Sequence, residues 1–181
     1  MPFTPFHFGP GALVHAVAPK HVSFLAFCAA NVVIDVEPLV WMLRGEPPLH
    51  RFAHTFGGAL GVALVATALV LAATRLAVAL RLPEAWQGRG LTAKRVAIGA
   101  LLGSVSHVVL DGVMHADLRP FAPWSDANPF LGAIGVGTLH GACVVAGLVG
   151  AAMAGIQRLR GESHGADRAP ERGRDAGRVP R

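Results

Sequence analysis

A chain of 181 residues that is 52% hydrophobic and only 15% charged has too few polar groups to cover a water-soluble core of its size. The net charge of +5 would suit nucleic acid, but Arg158, Arg160, Arg168, Arg172, Arg174, Arg178 and Arg181 stand together after the last apolar block. No aromatic side chain among them could stack on bases, which argues against a nucleic-acid partner. The two cysteines, Cys28 and Cys143, lie inside apolar blocks and exclude a disulfide framework or a thiolate zinc site.

In chain order, the opening MPFTPFHFGPG lacks the basic region and cleavage site of a secretory signal, so the first membrane helix is expected to direct targeting. Pro10 and Pro19 bracket an apolar piece too short to cross a bilayer, and a half-helix over 8–18 packed against the bundle is expected. Four longer blocks follow, at about 21–43, 54–81, 95–116 and 131–156, each able to cross a hydrocarbon layer of roughly 30 Å. Helices are the default, because inside lipid each backbone polar group must find its partner within the protein. The fold class expected is therefore an all-α integral membrane protein, a bundle of four transmembrane helices plus an N-terminal half-helix. Residues 1–156 form the membrane domain; from Gln157 to Arg181 the chain is polar and Arg-rich, and is expected to be a disordered tail.

Loop charge sets the expected orientation. Arg81, Arg89, Lys94 and Arg95 flank the link between the second and third spans, whereas the opposite loops hold only Arg44, Arg51 and Arg119. The positive-inside rule places that link and the tail in the cytoplasm, with loops 44–53 and 117–130 outside the cytoplasmic (inner) membrane.

Ionisable residues inside membrane helices are costly, and so are functional candidates. Asp35 and Glu37 fall late in the first span, His50 and His54 bracket the start of the second, and His107, Asp111 and His115 occupy the last half of the third. With the expected orientation all seven lie toward the outer face, joined by His140 in the fourth span. His107, Asp111 and His115 are four apart and share one helix face. His50 and His54 do the same if their helix begins before His50. Asp35 and Glu37 would point apart on a regular helix, but Pro38 disfavours helical geometry at Glu37 and lets both turn inward. Imidazoles and carboxylates without thiolates suit one or two divalent ions, zinc or manganese first, then iron or magnesium. Against this stand plainer readings: His140 as a hydrogen-bonding packing residue, His50 and Arg51 as interface residues, and Asp117 and Asp126 as solvated loop acids.

The runs HRFAHTFGGA and GSVSHVVLDGVMHADLRPFAPW, with the acidic pair in VIDVEP, resemble the YdjM-like membrane-bound, predicted metal-dependent hydrolases. The resemblance covers roughly residues 1–125 in order, through His7, Asp35, Glu37, His50, Arg51, His54, Thr55, Ser106, His107 and Asp111, with Pro120 and Pro123 downstream. Glu37 stands where that family has a second Asp, and the two histidines are one residue closer than in its pattern. The resemblance implies a metal hydrolase with His7 near the site, which would bring the chain start to the outer side.

Together these observations predict an outward-facing polar pocket. Asp35, His54, His107 and Asp111 bind metal, with Glu37, His50 and His7 as further ligands or a general base. Metal-activated water would attack an ester or phosphoester, with Arg51 neutralising an anionic group. The membrane setting favours a lipid or lipid-like substrate. The rivals are a metal-ion or proton transporter, which needs ionisable groups continuing to the inner face, and a structural protein whose polar cluster fixes helix packing.

Overall fold

The computed structural model describes residues 5–88 and 90–166, so Arg89 and the predicted disordered stretch beyond Ala166 lie outside the described residues. Six helices succeed one another: α1 (Phe8–Val17), α2 (Phe24–Ile34), α3 (Val36–Arg44), α4 (Phe56–Ala79), α5 (Ala93–Met114) and α6 (Val136–Ala166). Among the described residues there is no strand. Four stretches are long and apolar enough to cross a bilayer: Phe24–Arg44, Phe56–Ala79, Ala93–Met114 and Val136–Arg160. The protein is an all-α membrane protein of four spans with an N-terminal half-helix, as the sequence predicts.

Hydroxyl side chains start three of the helices. Ser23, Thr55 and Thr92 accept hydrogen bonds from the backbone N–H groups of Ala26, Gly58 and Arg95, satisfying donors that a helix leaves unpaired at its start. Two predicted boundaries move. The fourth span begins at Val136 rather than 131, after a turn in which Gly132 takes φ 68°. The same helix continues beyond 156 to Ala166, through the Gln-Arg-Leu-Arg run, which favours helix and contains no proline.

Helices α2, α4 and α5 pack mutually, and α1 lies between α2 and α6. The seam of the three-helix core is built from small residues, Ala26, Ala30, Ala63, Ala66 and Ala100, with Val70 and Val96. A Cβ at Gly99 would overlap the carbonyl of Ser23, and one at Gly103 that of Phe27. Close backbone approach of this kind is how helices associate where lipid removes the hydrophobic drive. The same device joins α1 to α6, where Gly9 meets the Cys143 carbonyl and Gly150 meets Ala12. Outward-facing Leu64, Leu69, Leu76 and Leu148 are exposed, as expected of a lipid-facing surface.

The first span is broken at Asp35, between α2 and α3. Pro38 has no N–H to give the Ile34 carbonyl and its ring crowds that carbonyl, while Leu39 bonds back to Asp35 O at 3.2 Å. At this break Asp35 turns into the bundle and Glu37 toward the following loop.

Candidate metal centre

Five imidazoles converge on Asp111, all through Nε2. Its Oδ2 lies 3.2 Å from His107, 3.8 Å from His54 and 3.9 Å from both His50 and His115, and its Oδ1 lies 3.3 Å from His7. Asp35 closes the deepest part, with Oδ1 3.3 Å from His107 Nε2 and 4.0 Å from His54 Nε2. His54 and His107 are fully buried, and Asp35 and Asp111 nearly so.

The opposite edges of three of these rings are held by oxygen acceptors. Asn31 donates its amide to the carbonyls of Phe27 (2.9 Å) and Gly103 (3.4 Å), which leaves its Oδ1 to accept from His107 Nδ1 at 3.0 Å. Glu37 Oε2 lies 3.3 Å from His54 Nδ1, and Asp117 Oδ1 lies 2.9 Å from His50 Nδ1. With the ring proton on Nδ1 and donated to these acceptors, each Nε2 turns a lone pair toward Asp111; His107 Nδ1 also lies 3.1 Å from His7 Nδ1. In that tautomer three nitrogen lone pairs face two carboxylates and repel them unless a proton or a metal cation sits between. Metal-ligating histidines are oriented by the same kind of outer partner.

Two further observations fit an ion. The Nε2 atoms of His7, His54 and His107 and the Oδ1 of Asp111 are buried with no hydrogen-bond partner, a cost that coordination removes for ligating nitrogens. Donors bound at about 2.1 Å to a tetrahedral ion stand about 3.4 Å apart, and the separations above, 3.2 to 4.0 Å, bracket that spacing. Asp35, His54, His107 and Asp111 form one group that could hold a metal, their donor atoms all within 4.8 Å of one another. His50, Asp111 and His115 form a second, more accessible group.

Electrostatics in the connecting loops favours neutral ligands. Burial, then His54, pushes the His50 imidazole below its ordinary value against the pull of Asp117. Burial also lowers His115, against Asp111, and burial, then His107, takes His7 down to about 4. Burial raises the Asp117 carboxyl, but hydrogen bonds from His50 and the backbone at His50 and Leu49 outweigh it and hold the group below the usual range.

The structure brings Asp35, His54, His107 and Asp111 together as the sequence predicts, and it places His7 beside them. His7 faces Oδ1 of Asp111 and stacks edge-on against His107, outside both ligand groups. Other expectations are corrected. His50 and His54 do not share a helix, since α4 starts at Phe56 after the Thr55 cap; a loop and a short 3-10 turn bring their rings to 4.8 Å. Glu37 does not enter the cluster as a ligand. It accepts the backbone N–H groups of Arg51 (3.1 Å) and Ala53 (3.0 Å) and so pins the loop that delivers His54. Arg51 is turned away: its guanidinium donates to the carbonyls of Pro48 and Glu46 and lies 3.5 Å over the Trp41 ring. His140 stacks on Phe6 at 4.3 Å rather than joining the ligands.

Two contributors escaped the sequence reading. Asn31, one helical turn before Asp35, sets the His107 tautomer, and the i, i+4 relation was its signal. Asp117, read as a solvated loop acid, orients His50 and takes the N–H groups of Leu49 (3.0 Å) and His50 (3.2 Å). Comparison with protein-family models, with curated proteins and with solved structures gives no match for this chain.

Proposed function

We propose that this chain is a membrane-embedded, metal-dependent hydrolase of esters or phosphoesters, related to the YdjM-like hydrolases that its motifs resemble. The observation that carries the proposal is the convergence of buried Nε2 atoms without hydrogen-bond partners and two buried carboxylates on one point. Asp35, His54, His107 and Asp111 would hold the ion, and Asn31 and Glu37 fix its imidazoles. A divalent ion bound there supplies a Lewis acid and an acidified water near neutral pH. The position within a lipid-facing bundle favours an amphipathic substrate, approached from the outer leaflet if the positive-inside rule holds for this chain.

A transport path would need ionisable groups along the whole bundle. Among the described residues the buried ones are His7, Asp35, His50, His54, His107 and Asp111, all at one end. The rest of the buried seam is mainly alanine, valine and glycine, with the uncharged Ser23 and Ser104. A one-sided site favours chemistry over passage.

The test is metal content. Wild type and a His107→Ala/Asp111→Ala variant are purified in mild detergent, stripped, reloaded with zinc, manganese or magnesium, and assayed for bound metal. Stoichiometric metal in wild type that is absent from an equally monodisperse variant supports the proposal and justifies screening phosphoesters and lipids. Absence of metal from both sinks it.

A further inference from the structure

Asp111 belongs to both ligand groups. Its Oδ2 faces the Nε2 atoms of His107 and His54 in one group and of His50 and His115 in the other. A carboxylate shared in this way is how two neighbouring ions are held together in two-metal hydrolytic sites. We infer that the centre binds a second divalent ion at His50, Asp111 and His115, with Asp111 bridging the pair. This inference rests on the metal reading above.

The second group is built as the first is. His50 has its Nδ1 bound by Asp117 at 2.9 Å, leaving Nε2 to face Asp111. His115 is the cap residue that ends α5, with extended backbone, and its own N–H bonds to Asp111 O at 2.9 Å. That turn carries the His115 ring out of the helix face and stacks it on His50 at 4.2 Å, so both Nε2 atoms stand 3.9 Å from the same oxygen. The separation is about half an ångström wider than the roughly 3.4 Å of a tetrahedral pair. Closing it needs only small rotations of rings at a loop and a helix end.

The two groups differ in access. All four residues of the first are buried, whereas the His115 side chain is 27% exposed and Asp117 behind His50 is 36% exposed. The inner ion would be the more enclosed, and would need a coordination position beyond its four protein ligands to hold a water. The outer would have three, with remaining positions open to an incoming oxygen. Two ions held side by side could polarise and orient an incoming oxygen between them.

The experiment titrates stripped, full-length wild type and His115→Ala with manganese in detergent, reading stoichiometry by elemental analysis and the spin state by electron paramagnetic resonance. The expected result is two ions per wild-type chain, with the isolated-ion spectrum giving way to an exchange-coupled one as the second site fills. His115→Ala should then hold one ion, with an isolated spectrum throughout. One uncoupled ion in wild type overturns the second site and leaves the single-ion reading standing. Two ions retained in His115→Ala overturns the assignment of the second to this group. No ion in wild type removes both readings. The wild-type spectrum decides the nuclearity even if the variant fails to fold.

Discussion

The two ends of the α2–α4–α5 core solve opposite problems with the same three helices. At one end the seam closes on alanine and on Gly99 and Gly103, whose missing side chains let α5 touch the backbone of α2. At the other the seam closes on Asp35, His54, His107 and Asp111, polar groups that gain nothing from lipid and are costly to bury. Packing accounts for the first end completely. The second is explained by packing only if its groups satisfy one another, and several of its nitrogens and one oxygen have no hydrogen-bond partner. The contrast teaches that the glycine end holds the bundle and the histidine end uses it.

The largest expected effect lies at the glycine end. Gly103→Leu forces a side chain into the Phe27 carbonyl, a backbone overlap that neither helix can relieve by a rotamer change. The cost should exceed about 3 kcal/mol, seen as loss of the monodisperse peak in size-exclusion chromatography and a collapsed thermal midpoint. Asp111→Asn should behave differently. It is isosteric and brings no backbone overlap, so the metal-free variant should stay folded and monodisperse. What it should lose is the metal response. Adding ion at about a hundred times its dissociation constant should stabilise wild type by about 2.7 kcal/mol and leave Asp111→Asn unmoved. If Asp111→Asn unfolds like Gly103→Leu, both ends are structural and the comparison breaks.

The sequence made the architecture legible because bilayer length and composition leave few alternatives: all four spans and the half-helix were visible as apolar blocks. The residues of the group that could hold a metal were legible as well, since a His and an Asp four apart within an apolar helix are costly to bury. What was not legible was how the loop between α3 and α4 delivers its histidines. Spacing put His50 and His54 on one face only if their helix began before His50, whereas Thr55 caps α4 after them and Glu37 pins the loop by accepting backbone N–H groups. Backbone donors carry no residue signature, so Glu37 read as a further ligand or general base and Arg51, which supplies one of those donors, read as an anion clamp. Asp117 was discounted because its partner is distant in sequence and a loop acid needs no explanation by itself.

A sharper version of the comparison tests the groups behind the ligands. Glu37→Gln keeps an oxygen for the loop but weakens the hold on His54 Nδ1, 3.3 Å away. Loss of an outer-shell partner of a metal-bound histidine costs roughly 10- to 100-fold in affinity, and that decrease should appear in the buried site. A competitive titration against a metal indicator would read it. An unchanged affinity would mean that Glu37 serves the loop alone, through Arg51 and Ala53.

The smallest effect is expected at Asp117, the outermost of these partners. Asp117→Asn retains an acceptor oxygen but loses the charge, and it must choose among the three donors the carboxylate now accepts from Leu49 N, His50 N and His50 Nδ1. Because the carboxyl is more than a third exposed, solvent screens the loss, and a decrease of at most about 10-fold, the lower end of the outer-partner range, is expected. The decrease should fall on the His50–Asp111–His115 group and spare the buried one, since Asp117 touches no residue of the latter through any contact described above. Equal weakening at both positions would show that His50 serves a single shared ion, and the distinction between a closed and an open half of the centre would then fail with it.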